Sequence, residues 1–80
     1  MTIEEVKDLI HGEVYLFKYK DLKFKRFFES GCLMPDLTYY LIVKTVEQTP
    51  VQEKFYAELT EVIGIYNMNG HQTERNGEML

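Results

Sequence analysis

The spacing of apolar residues changes along the chain, and each change marks an element. Ile3, Val6, Leu9 and Ile10 recur at three- and four-residue intervals, one stripe of a helix over residues 2–12. Thr2 and Glu5 stand at capping-box spacing. Glu4 and Glu5 occupy the first turn and His11 the last, which suits the helix dipole. Gly12 accepts the left-handed conformation that ends a helix. From Val14 the spacing falls to two, and residues 13–19 and 22–28 read as a β-hairpin turning at Lys20-Asp21. In a two-residue turn Tyr19 faces Leu22, Phe17 faces Phe24 and Tyr15 faces Arg26. Tyr15, Phe17, Tyr19, Leu22 and Phe24 then form a core face. Leu16, Lys18, Lys23 and Lys25 lie opposite, with Val14 and Phe27 at the open end. Lys18 would sit across from Lys23, a like-charge pair that costs stability. Lys20-Asp21 lacks the Asn-Gly or Asp-Gly chemistry of tight hairpins, and a longer turn would exchange the two faces.

Beyond the hairpin, Gly31, Pro35 and Asp36 predict a connector over residues 30–36. Residues 38–46 are β-branched and aromatic on both faces, as in a central strand. Residues 49–66 satisfy two patterns. Thr49, Pro50 and Gln52 suit a helix start, with Val51, Phe55, Leu59, Val62 and Ile63 on one face. Phe55, Ala57 and Leu59 also alternate with Tyr56, Glu58 and Thr60 as in a strand. The β-branched residues toward Tyr66 tilt the balance to strand, and periodicity leaves residues 51–63 open between strand and helix. Residues 67–80 form a polar tail. Asn69-Gly70 could turn it back as a short edge strand, and a flexible terminus is the alternative.

The chain has 80 residues, enough for one small domain with a thin core. Its 45% hydrophobic content argues against disorder. The expected class is α+β: an N-terminal helix followed by a small, curved antiparallel sheet of the kind found in SH3-like or OB-like barrels. Cys32 is the single cysteine, so no internal disulfide can form, which fits a reducing compartment. No secretory signal pattern and no long apolar run is visible, and the expectation is a soluble, cytoplasmic protein without membrane contact. The net charge of −4 is unevenly placed. Residues 36–80 carry seven acids and three bases, whereas residues 18–26 hold five bases against Asp21 alone.

The catalytic inventory is poor. His11 and His71 are far apart, Ser30 is the only serine, and no glycine-rich phosphate loop or paired metal-ligand spacing occurs. Neither enzyme activity, cofactor nor metal is expected. Cys32 is best read as a small packed residue and His11 as a helix-end residue. Residues 13–29 remain: they contain six of the eleven Phe and Tyr residues and five of the nine Lys and Arg. The candidate binding residues are Lys18, Lys20, Lys23, Lys25, Arg26 and Phe27. Two partner classes follow. A protein partner, either a second copy or a larger enzyme that the chain inhibits or modulates, suits a basic patch on an acidic body. Small acidic proteins of this kind are common among phage and mobile-element accessory proteins. Nucleic acid or a nucleotide is the alternative, with cations on phosphate and rings stacked on bases.

Overall fold

The computed structural model describes residues 1–66 and 72–74. Its helix α1 is short, Ile3–Lys7. The capping box forms as expected: Glu5 N–H donates to Thr2 Oγ1 and Thr2 N–H to Glu5 Oε1. The helix stops five residues before the predicted end because the sheet takes over its backbone. The Ile10 N–H donates to the Tyr15 hydroxyl at 2.9 Å, and the Gly12 N–H to the Phe28 carbonyl at 2.7 Å. Gly12 does adopt a left-handed φ of 82°, but in this docking loop and not as the helix cap. Of the apolar stripe only Val6 is fully buried; Leu9 packs at the edge of the core, and Ile10 is exposed.

The strands are β1 (Val14–Tyr19), β2 (Leu22–Leu33), β3 (Tyr39–Thr45), β4 (Gln52–Tyr56), β5 (Thr60–Tyr66) and β6 (Gln72–Glu74). They form one antiparallel sheet in the order β4-β3-β2-β1-β5-β6. The β1–β2 register is the two-residue-turn register: Tyr19 pairs with Leu22, Lys18 with Lys23, Phe17 with Phe24 and Tyr15 with Arg26. Lys20 and Asp21 both take positive φ, 50° and 67°, the twist that matches a tight hairpin even without glycine.

The connector expected over residues 30–36 is overturned in its first half. Residues 30–33 are not connector but the second half of β2, paired with β3 through Leu33–Tyr39. Gly31 does not break the strand because the Tyr39 ring lies over it; a Cβ added there would overlap the Tyr39 hydroxyl. A bulge at Glu29 separates the two halves of β2 and bends it. The ambiguity over residues 51–63 resolves as strand, a 3-10 turn at Ala57–Leu59, and strand. The reversal is fixed by side chains: the Tyr56 N–H donates to the Tyr19 hydroxyl, and the buried Thr60 hydroxyl donates to the Tyr56 carbonyl at 2.6 Å. The Met1 ammonium group caps the same turn through the Ala57 and Thr60 carbonyls. The predicted tail turn at Asn69-Gly70 lies outside the described residues, while β6 does pair with the edge of β5.

The core is one cluster on the inner face: Val6, Tyr15, Phe17, Phe28, Leu41, Val43, Phe55, Ala57 and Val62. Phe55 sits at its centre, stacked on Tyr19 at 4.4 Å and edge-on to Phe17 at 6.0 Å. Tyr15 and Phe17 are buried as predicted, and Tyr19 and Phe24 pack against the cluster. Leu22 does not join them; it is 62% exposed beside the turn, where the inner face has run out of partners. No helix among the described residues is long and apolar enough to cross a membrane.

Candidate binding face

The register divides the six predicted binding residues. Lys18, Lys23, Lys25 and Phe27 share the outer face of the hairpin, away from the core, by the alternation of β1 and β2. Val14 and Leu16 share that face and are half-buried. Lys18 lies between Lys23 on β2 and Glu61 on β5. Its Nζ reaches Asp21 at only 4.0 Å, a weak exposed pair. Lys25 holds its Nζ 5.0 Å from the Tyr66 ring centre. Lys23 is exposed and makes no ion pair or ring contact with the described residues. Phe27 is half-buried between Val14 and Lys44.

Arg26 and Lys20 stand apart from this stripe. Arg26 is on the inner side, where its Nε meets Glu53 Oε1 at 2.6 Å and its guanidinium stacks 5.0 Å from the Phe24 ring. That pair ties β2 to β4 at the open end of the core. Lys20 projects from the turn toward Tyr19 and Tyr56, 5.3 and 6.0 Å from their ring centres. A depression of about 300 Å³ at the hairpin tip is lined by Lys18 and Lys20 but also by Asp21, Glu58 and Glu61. Three carboxylates against two ammonium groups make this tip a poor phosphate cradle.

Two arrangements escape a reading of the sequence. The first is a tyrosine pair on the outer face of β3 and β4: Tyr40 and Tyr56 are directly paired, with ring centres 4.7 Å apart. Lys54 lies 5.9 Å from the Tyr40 ring. Hydrogen bonding to Tyr56, helped by partial burial, pushes the Tyr40 hydroxyl up to about 12. Only the β3–β4 register brings these residues together. The second is a charge cluster at the Glu29 bulge. Lys44 Nζ lies 2.8 Å from one Glu29 oxygen and His11 Nδ1 3.3 Å from the other. The Lys44 hydrogen bond, before any other cause, holds the Glu29 carboxyl below its usual value. The cluster fastens the loop after α1 to the bend in β2, so His11 serves in a structural clamp.

Among the described residues no group of three or more His, Cys, Asp or Glu side chains is gathered as a metal site would require. Compared with known proteins, the chain matches no family model, no curated protein and no solved structure.

Proposed function

We propose that the protein is a non-catalytic interaction module that docks the outer face of its β1–β2 hairpin onto an acidic surface of a protein partner. The observation that carries this reading is the Lys18–Lys23 pairing. Like charges directly opposite in a sheet destabilise it, and threonine at either place would serve the strand better. Lys25 adds a third positive charge to the same stripe. A local rule broken for no more than a weak exposed pair with Asp21 and a neighbouring Glu61 points to a binding role.

The connectivity supports an SH3-like barrel for the module. Four strands run as a meander, and a 3-10 turn returns the chain so that β5 pairs with β1. Such barrels serve many kinds of binding, so the fold does not choose the partner. Nucleic acid is the weaker choice for this face. Tyr15, Phe17 and Phe24 point into the core, which leaves Phe27 as the one hairpin ring on the lysine side. A stacking platform for bases needs several exposed rings.

The test is affinity capture from the native cell with wild type and with Lys23→Glu/Lys25→Glu, beside anisotropy titrations of mixed oligonucleotides. One stoichiometric protein captured by wild type and lost in the variant supports the reading. Capture that survives charge reversal, or oligonucleotide binding that falls steeply with salt, overturns it.

A further inference from the structure

Leu37 carries two costs that the fold does not use. Its side chain is 80% exposed, the highest value among the large apolar residues described. Its φ is +70°, in the left-handed region. The turn geometry explains the second cost. The Leu37 N–H donates to the Met34 carbonyl at 2.9 Å and the Met34 N–H to the Thr38 carbonyl at 2.9 Å. This is a type I turn followed by one left-handed residue, the place where a hairpin loop of this length takes glycine. A leucine there is strained and a poor use of an apolar side chain. Strain held at an exposed position is a mark of a binding element.

The surroundings of Leu37 specify what it would dock on. It borders a cavity of about 330 Å³ together with Ile3, Tyr39, Asp36 and Glu58. The Met1 ammonium in the same cavity is turned onto the Ala57 and Thr60 carbonyls. Asp36 and Glu58 outnumber that one ammonium group, so the region is an apolar knob with a net acidic rim, and it complements an apolar seat with a basic rim. The outer hairpin face has that chemistry: Val14, Leu16 and Phe27 are half-buried among Lys18, Lys23 and Lys25. Leu37 follows the C-terminal end of β2 and Lys23 stands near its start, while Glu58 borders both the Leu37 cavity and the depression beside Lys18 and Lys20.

We propose that Leu37 is the apolar anchor of a head-to-tail contact between two copies of this chain, seated on the lysine face of the neighbour. The proposal rests on the binding role given above to that face and names its partner. Such a contact is heterologous, so it repeats from copy to copy unless one of the two surfaces is blocked.

Sedimentation velocity over a concentration series tests it. Wild type gains mass with concentration. Leu37→Asn stays monomeric and melts no lower than wild type, since asparagine tolerates the left-handed region. Lys23→Glu/Lys25→Glu is also monomeric alone. Mixed in equal amounts, the two variants form a dimer and nothing larger, because each retains the one surface that the other lacks. A wild type that remains monomeric, a Leu37→Asn chain that associates like wild type, or a mixture without dimer overturns the proposal. In those cases capture of an acidic partner that depends on Lys23 and Lys25 would still uphold the lysine face.

Discussion

The two faces of one hairpin obey different rules. On the inner side, Phe17, Tyr19 and Phe24 converge on the Phe55 ring with Tyr15 against Phe17, and these rings serve packing. On the outer side, Lys18 and Lys23 oppose each other across the same two strands. The backbone is common to both, so the difference lies in what each face meets: a dry core on one side, solvent and, in the proposed function, a partner on the other. Stability is concentrated on the first face and relinquished on the second.

Substitutions that separate these roles should fall in a clear order. Phe17→Ala strikes the most enclosed position of the inner face and should destabilise by about 3–5 kcal/mol. A small domain has little more than that in reserve, so chemical denaturation should find the variant largely unfolded. Gly31→Ala probes the inner face where β2 continues beyond the bulge. The new methyl group must displace the Tyr39 ring, and the loss should be about 1–3 kcal/mol in the same measurement. Lys23→Thr acts in the opposite direction. Relief of the lysine pair should stabilise by about 0.2–1 kcal/mol in low salt, and the gain should shrink as salt is added.

The smallest effect is expected at the bulge that joins the two regions. The Lys44 hydrogen bond holds the folded-state pKa of Glu29 below the ordinary carboxylate value. A depressed carboxylate contributes stability that is present above the unfolded pKa and lost as pH falls through the folded one. The melting temperature of wild type should therefore drop more than that of Glu29→Gln as pH falls below about 4.5. Parallel curves for the two proteins would remove the clamp from the account.

Much of the inner face was legible in the sequence because a period of two groups the residues that share a face. Tyr15, Phe17 and Tyr19 fall on one side of their strand and Leu22 and Phe24 on one side of theirs, but the turn length that pairs them was not legible; the positive φ of Lys20 and Asp21 fixes it. The capping box at Thr2 and Glu5 was legible for a similar reason, since it is local. The helix length was not, because Tyr15 and Phe28 supply the acceptors that divert the backbone at Ile10 and Gly12. The continuation of β2 was hidden in the same way: Gly31 reads as a breaker until Tyr39, from another strand, covers it. The outer stripe was legible as a cluster of charge, but Arg26 belonged to it only in sequence. Its guanidinium crosses to Glu53, a partner 27 residues away. Leu37 gave no signal, since an apolar residue after Pro35-Asp36 carries no mark of its φ.

The most direct measurement is a side-by-side capture by wild type and by Lys18→Thr/Lys23→Thr/Lys25→Thr, with the melting temperature of each recorded on the same preparations. A variant that melts at or above wild type and no longer holds the partner is the predicted result. A variant that keeps the partner, or that loses it only by melting lower, would contradict the assignment of the outer face to binding.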